Sequence, residues 1–230
     1  MDDRESLLRR VDARLRRHFT GFPPRYRLLD PVSQLVMSLL GGKTFGPVSR
    51  AAHARLVATY DNWSDVRDAP IGDIEAIIRP VTHWKKKAER LQRALRAFTD
   101  DDGTPDLDWL SDLTVEEGHR RLEAINGIGP KTAAAVLNTS TLRRRSLVID
   151  THHIRILERL RLLKRNANFV EAYRTIMPLV PQDWGPMRID THHMLFKRLG
   201  QVTCRHSVGH CHRCPLNDLC PSAAADGAFG

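Results

Sequence analysis

Four cysteines in one short segment constrain this chain more than any other feature. The four cysteines of the 230-residue sequence follow one another as C-x6-C-x2-C-x5-C, at Cys204, Cys211, Cys214 and Cys220. The N-terminus leads into an amphipathic segment rather than an apolar signal core, so we expect a cytoplasmic protein, in which disulfides are disfavoured. Four thiolates this close in sequence therefore predict a metal site.

The spacing leaves two kinds of metal site open. Zinc usually binds two close C-x2-C pairs, and here only Cys211 and Cys214 form such a pair. Unevenly spaced cysteines can instead hold a cubane iron–sulfur cluster, in which each thiolate binds one iron. The spacing favours the cluster over zinc, and both over free thiols. We interpret the neighbouring His206, His210 and His212 as loop residues that add positive charge.

The composition indicates a folded, basic protein. Lys and Arg total 36 against 27 Asp and Glu, which gives a net charge of +9, and 41% of the residues are hydrophobic. This content excludes a disordered chain, and no apolar run approaches the roughly 20 residues of a membrane span. The charge fits a polyanionic partner and fits solvated helix faces equally well.

Helical periodicity runs through nearly the whole chain, and no segment shows sustained period-two alternation. We therefore predict an all-α fold. Helix starts are marked by Asp30-Pro31 and by the capping box Thr114-x-x-Glu117. The remaining patterns predict helices near Leu7–Leu15, Pro47–Tyr60, Ile71–Ile78 and Trp84–Phe98, and loops at 100–106 and 141–146.

Residues 122–138 predict two helices joined by a tight turn. The turn contains Gly127 and Gly129, which permit positive φ, Ile128 as an apolar plug, and Pro130, which suits a first helical turn. Amide groups at the start of the second helix form a phosphate seat, which is the physical basis of helix-hairpin-helix DNA binding. An ordinary αα-hairpin uses glycines in the same way. The basic composition favours the DNA-binding interpretation.

Two residues near this hairpin can carry chemistry. Lys131 begins the second helix, where the positive end of the helix dipole favours a neutral, nucleophilic amine, although a lysine here is more often a phosphate contact. Asp150 follows three apolar residues and is either a buried carboxylate or, as its position favours, a helix N-cap. The run Gly41-Gly42-Lys43-Thr44 is not a P-loop, because position 37 is Met37 rather than glycine.

Three ordered motifs together resemble the endonuclease III family of helix-hairpin-helix DNA glycosylases, which carry a [4Fe–4S] cluster. The motifs are residues 127–133, residues 148–152 and the cysteine spacing, and weaker similarity covers most of the chain. The resemblance implies two all-α lobes with a DNA cleft between them. Residues 30–142 would form a six-helix barrel with the hairpin, and residues 1–29 and 143–230 a discontinuous helical lobe with the cluster loop 204–220.

The resemblance also implies a function for individual residues. Lys131 matches the nucleophilic lysine and Asp150 the essential aspartate of the family. The implied activity is removal of a damaged or mispaired base from double-stranded DNA, followed by cleavage at the abasic site, by a monomer. The four cysteines match the [4Fe–4S] ligands, and the hairpin residues Gly127, Ile128 and Gly129 the DNA-binding turn. Further basic residues expected on DNA-facing segments are Lys43, Lys85, Lys86, Arg143, Arg144, Arg145, Arg205 and Arg213.

The sequence departs from the family at both positions that probe the duplex. Where the family commonly has Ser-Ala-Gln, this chain has Gly41, Gly42 and Lys43. Where the family has a bulky apolar wedge, this chain has His83. We therefore predict a divergent member with a different preferred lesion or opposite base. Two alternatives stay open, namely a monofunctional mismatch or modified-adenine glycosylase and a non-catalytic iron–sulfur DNA-binding protein.

Overall fold

A computed structural model describes residues 3–23, 26–207 and 209–224. These ranges contain helices and isolated β-bridges but no β-strand, so the predicted all-α class is confirmed. Within the same ranges no helix is long and apolar enough to cross a bilayer. The α-helices are α1 (Asp3–His18), α2 (Pro31–Gly41), α3 (Gly46–Thr59), α4 (Trp63–Asp68), α5 (Ile71–Ile78), α6 (Trp84–Ala97), α7 (Val115–Glu123), α8 (Pro130–Thr139), α9 (Thr151–Arg159), α10 (Phe169–Ile176), α11 (Pro186–Val202) and α12 (Pro221–Ala224). Short 3₁₀ helices span Asp108–Asp112, Met177–Leu179, Cys211–Arg213 and Asn217–Leu219.

Local sequence signals begin several helices where the sequence predicts them. The Asp30 carboxylate accepts a hydrogen bond from the Ser33 amide at 2.8 Å and caps α2. Thr114 and Glu117 form both halves of the capping box before α7, and α5 has the predicted bounds. The sequence pattern does not predict α4, because six residues are too few to show an apolar stripe. A tertiary contact fixes this helix, since the Trp63 indole donates to Ser33 Oγ at 3.0 Å.

The chain divides into two compact units, and one of them is the continuous segment Leu28–Arg144 with α2 to α8. Helix α2 packs against α8 and α3 and contributes a stripe of buried aliphatic residues to the core. The arms of the hairpin, α7 and α8, pack closely at Gly118, where a Cβ would lie 3.0 Å from Leu137. The Thr141 amide donates to the Leu29 carbonyl at 2.9 Å and joins the ends of the unit.

The other unit contains the chain up to Arg27 and from Arg145 onward, with α1 and α9 to α12. Its apolar core surrounds the fully buried Trp184 and Phe196, and α11 packs against α9 and α1. The buried Asp12 of α1 joins these helices, because its carboxylate binds His192 Nδ1 at 2.9 Å and Arg188 Nη2 at 3.2 Å. The buried carboxylate of Asp12 thus fixes α11, the helix that precedes the cysteines.

Candidate active site

The turn between α7 and α8 presents the start of α8 without a side-chain cap. Gly127 has φ of +99°, and Ile128 is buried with its amide bonded to the Ile125 carbonyl at 3.0 Å. Gly129 is the N-cap residue of α8, and a Cβ there would meet nothing within 4 Å. A helix start with a glycine cap and open space beside it suits an anion that approaches the backbone closely.

Lys131 is the second residue of α8 and is exposed. The turn and the lysine therefore lie together, as the sequence predicts. Lys131 therefore lies at the positive end of the α8 helix dipole. The exposed amine of Lys131 lies beside a helix start that suits an anion, so it can reach a ligand that carries phosphate.

A second lysine lies inside the same unit, in the segment Lys87-Ala88 that resembles the family, and the sequence assigns it no functional role. Lys87 on α6 is 6% exposed, and its ammonium donates to the Leu40 carbonyl at 2.7 Å, the Gly42 carbonyl at 2.5 Å and Thr44 Oγ1 at 2.9 Å. Burial, assisted by the positive charges of Lys131 and Arg90, lowers the pKa of Lys87 to about 8. The amine therefore ties the end of α2 and the turn that follows it to α6.

The two predicted duplex-probing residues occupy strained backbone positions in this unit. Lys43 lies in the turn after α2 with φ of +54°, and His83 is the N-cap residue of α6 with φ of +57°. Both side chains are exposed. A positive φ costs free energy in a residue that has a Cβ, so these two turns are held by their surroundings. Lys87 provides that support for the turn that carries Lys43.

Asp150 belongs to the other unit and combines both roles that the sequence left open. It is the N-cap of α9, where Oδ1 accepts the His153 amide at 3.0 Å, and the residue is 6% exposed. Burial alone would raise the pKa of Asp150, but hydrogen bonds from His153 and the charge of His193 outweigh burial and hold that pKa well below its usual range. Asp150 is therefore a buried carboxylate that stays ionised.

Buried imidazoles surround this carboxylate, and the sequence patterns do not identify them as part of the site. His153 Nδ1 lies 3.4 Å from Asp150 Oδ1, and the His153 ring stacks on His193 with 5.1 Å between ring centroids. Phe196 stacks on the same ring at 4.6 Å. His193 Nδ1 donates to the Val148 carbonyl at 2.8 Å. Ligand atoms of Asp150, His153 and His193 lie within 4.8 Å of one another, so the group could also hold a cation.

The four cysteines lie on one loop at the core of this unit, and their chemistry fits a metal centre. Each is half-buried, and Cys204, Cys214 and Cys220 pack against the apolar core. Burial raises the pKa of Cys214 to about 11, and charges on the other three thiols raise it as well. A bound metal would stabilise the thiolate forms of these cysteines, and an all-sulfur donor set suits iron–sulfur or zinc.

Helix α9 begins directly after Asp150 and also contacts the cysteine loop. Arg155 donates to the Cys204 carbonyl at 3.0 and 2.7 Å. Arg159 donates to Cys204 Sγ and to the Arg205 carbonyl, each at 2.9 Å. The helix that begins at the buried carboxylate thus positions the first cysteine through two arginines that the sequence motifs leave out.

The basic residues expected on DNA-facing segments fall into two groups. Arg205 and Arg213 of the cysteine loop are exposed. Arg144 instead donates to the carbonyls of Leu110, Ser111 and Leu113 at 3.1, 2.6 and 2.6 Å. Arg145 donates to the carbonyls of Val180 and Pro181 at 2.6 and 2.8 Å and of Trp184 at 3.3 Å. These two guanidinium groups stabilise loops of their own units, and the expectation that their segments border DNA stays a prediction.

Comparison with known proteins places these features in a family. No family model matches the chain. A protein of Arabidopsis thaliana that is provisionally named a DNA glycosylase is 30% identical over 176 residues, which are 76% of this chain and 58% of that protein. Endonuclease III-like protein 1 of Gallus gallus is 29% identical over 210 residues, 89% of this chain and 67% of that protein. Endonuclease III of Haemophilus influenzae is 25% identical over 83% of both chains.

The fold agrees with this relationship. A solved non-covalent complex of endonuclease III with DNA superposes with a TM-score of 0.77 at 21% identity, and it covers 96% of this chain and 97% of that chain. At this identity the likeness establishes the fold. The sequence relatives match this chain over 76% to 89% of its length, which includes most of the segments described above. This chain belongs to the endonuclease III family of helix-hairpin-helix DNA glycosylases.

Proposed function

We propose that this protein removes a damaged or mispaired base from double-stranded DNA and then cleaves the strand at the resulting abasic site, with Lys131 as nucleophile. One observation carries the proposal. The exposed Lys131 lies in the first turn of α8, directly after a turn that offers backbone amides and a glycine cap to a phosphate. The relatives named endonuclease III support the same activity.

The chemistry begins when the target nucleotide rotates out of the duplex. As the N-glycosidic bond breaks, its electron pair leaves with the base, and the sugar gains oxocarbenium character. The neutral amine of Lys131 forms a bond to C1′ and loses a proton, and the C1′–O4′ bond opens to give a Schiff base. Removal of a proton from C2′ then breaks the C3′–O3′ bond, which is a β-elimination.

Asp150 acts in this scheme mainly through its charge. Its carboxylate is buried and hydrogen-bonded, and its low pKa makes it a weak base. A fixed negative charge in a site of low dielectric stabilises a developing oxocarbenium ion strongly. We therefore assign Asp150 to electrostatic stabilisation of the sugar.

We propose that Cys204, Cys211, Cys214 and Cys220 hold a [4Fe–4S] cluster. When bound, the cluster fixes the loop and neutralises the thiolates, and it is not assigned to a redox step. Arg205 and Arg213, exposed on this loop, then bind DNA phosphates. Lys43 and His83 are proposed to probe the duplex. Because both depart from the family pattern, we predict that the preferred lesion or the opposite base differs from that of an enzyme for oxidised pyrimidines. Thymine-glycol excision at the rate of an ordinary family member would contradict that prediction.

Trapping of the Schiff base tests the function directly. Wild-type protein is incubated with borohydride and duplexes that contain an abasic site, a mismatch or a modified base, and covalent complexes are separated from free DNA. We expect a trapped band for wild type and none for Lys131→Gln. The control is Lys164→Gln, which replaces an exposed lysine of the other unit whose ammonium pairs with Glu171 at 2.7 Å.

Each alternative gives its own result in this assay. Base release without trapping identifies a monofunctional glycosylase, and DNA binding without base release on any lesion identifies a non-catalytic binding protein. Trapping that persists in Lys131→Gln removes this lysine from the mechanism. For the metal, a brown protein with broad visible absorption supports the cluster, whereas a colourless protein with bound zinc contradicts it.

A further inference from the structure

An exposed aromatic residue follows the turn that carries Lys43. Phe45 is 74% exposed and is the N-cap residue of α3, where its carbonyl accepts the amides of Val48 and Ser49 at 3.0 and 3.2 Å. The backbone of Phe45 is therefore fixed by α3, while its ring lies in solvent. A single exposed apolar side chain is common in proteins. The surroundings of Phe45 make this one informative.

The turn before Phe45 is hydrogen-bonded on one side and open to solvent on the other. The ammonium of Lys87 binds Leu40, Gly42 and Thr44 from inside the unit, and the Thr44 amide donates to the Gly41 carbonyl at 3.2 Å. A Cβ on Gly41 or Gly42 would meet nothing within 4 Å. The outer side of the turn is thus open to another molecule, and the inner side is anchored.

The same anchor connects this turn with the hairpin. The charges of Lys131 and Arg90 act on Lys87, and the Arg90 side chain packs against Gly127, where a Cβ would lie 3.0 Å from Arg90 Cδ. Helix α2, which leads into the turn, packs along α8, which begins with Lys131. Phe45 is therefore presented near the hairpin turn and the candidate nucleophile, among exposed cations.

We propose that Phe45 is a base-stacking residue of the DNA interface, presented on a turn that the buried Lys87 holds rigid. The proposal rests on the proposed function, and it adds a residue that contacts DNA bases rather than phosphate. Every base offers a π-face, so an aromatic ring on a cationic surface binds bases without reading sequence. The turn that carries Phe45 lies near Lys131, the proposed nucleophile for the extruded nucleotide. We therefore expect the stacked base to lie next to the position from which that nucleotide leaves the duplex.

The test measures binding and stacking on a duplex with a stable abasic analogue opposite 2-aminopurine. Affinity is measured by fluorescence anisotropy, and stacking is measured as quenching of 2-aminopurine. Phe45→Ala is expected to weaken binding by about tenfold or more and to relieve the quenching, and Phe45→Trp to retain both. The matched control is Met187→Ala, which removes a side chain that is 72% exposed in the other unit, and it is expected to behave as wild type.

The outcomes separate this inference from the proposed function. Wild-type trapping on an abasic site together with unchanged binding and quenching in Phe45→Ala overturns the stacking role alone, and would direct attention to a protein partner for Phe45. Failure of wild type to bind or trap abasic DNA overturns the proposed function. Lys87→Met, which keeps Phe45 but loses the anchor, is expected to reduce quenching, and full quenching in that variant contradicts the rigid presentation.

Discussion

Replacement of Lys87 by methionine tests the electrostatic account of the buried amine. Burial and two neighbouring cations lower the pKa of Lys87 from 10.5 to about 8. Because the unfolded chain then binds more protons than the folded protein, the free energy of unfolding rises with pH through this range. The gap between the two pKa values corresponds to a cost of about 3 kcal/mol for keeping the amine charged at pH 7. The free energy of unfolding of wild type should therefore rise by about 2 kcal/mol between pH 7 and pH 9.5.

The measurement is denaturant unfolding of wild type and Lys87→Met at both pH values, followed by circular dichroism. Other titrating groups are common to the two proteins, so the difference between their pH dependences isolates Lys87. Lys86→Met removes the exposed neighbouring lysine and should follow wild type. The reasoning is refuted if Lys87→Met gains as much stability as wild type between the two pH values. The absolute stability of the variant is a separate quantity, because the carbonyls of Leu40 and Gly42 lose their donor.

Three further substitutions probe the two units. Asp150→Asn keeps an N-cap side chain and should lower single-turnover base release by about a hundredfold or more while duplex affinity stays near that of wild type; normal turnover would remove Asp150 from the chemistry. Gly127→Ala places a Cβ at φ of +99° and 3.0 Å from Arg90, and should weaken duplex binding about tenfold, as titrated by anisotropy, because the hairpin turn shifts. Gly200→Ala places a Cβ 2.5 Å from His152 Nδ1, and should lower stability by about 1–3 kcal/mol in thermal melts; an unchanged melting temperature would show that α9 and α11 can separate at little cost.

The sequence predicts helices where a local start signal or an apolar stripe marks them. Asp30 caps α2, and Thr114 with Glu117 opens α7, through contacts within four residues along the chain. Helix α4 has its own cap in Asn62, which accepts the Asp65 amide at 2.9 Å, but only one of its residues, Val66, is fully buried. An apolar stripe of that length cannot be recognised in a sequence, so packing against other helices decides the element.

The residues of the candidate site also differ in whether a local sequence signal reveals their role. Lys131, Asp150 and the cysteines belong to motifs of adjacent residues, and the sequence identifies them as candidates. The role of Lys87 is not evident from the sequence, because its three acceptors lie more than forty positions away along the chain. One signal was available, since Lys87 lies four residues before Leu91 on the buried stripe of α6. A lysine on an apolar stripe predicts either a paired amine or a functional one, and the structure places Lys87 on three backbone and hydroxyl oxygens.

The repeated segment Ile-Asp-Thr-His-His shows why residue identity alone does not assign a role. In the first copy, Asp150 precedes a helix and accepts the amide of His153. In the second copy, Asp190 lies inside α11 and accepts a hydrogen bond from the Tyr26 hydroxyl. An aspartate before a helix gathers N–H donors and stays ionised, whereas one within a helix finds its backbone donors already used.

The second copy nevertheless contributes to the first. His193 donates to the Val148 carbonyl, two residues before Asp150, and its ring stacks on His153. Both contacts lie within the one unit and fix the segment that presents the carboxylate. The aspartate of the second copy therefore serves the packing of α11, and its last histidine positions the aspartate of the first. Asp190 lies within α11 and caps no helix, whereas Asp150 is the N-cap of α9, so the two copies of the motif occupy different structural positions.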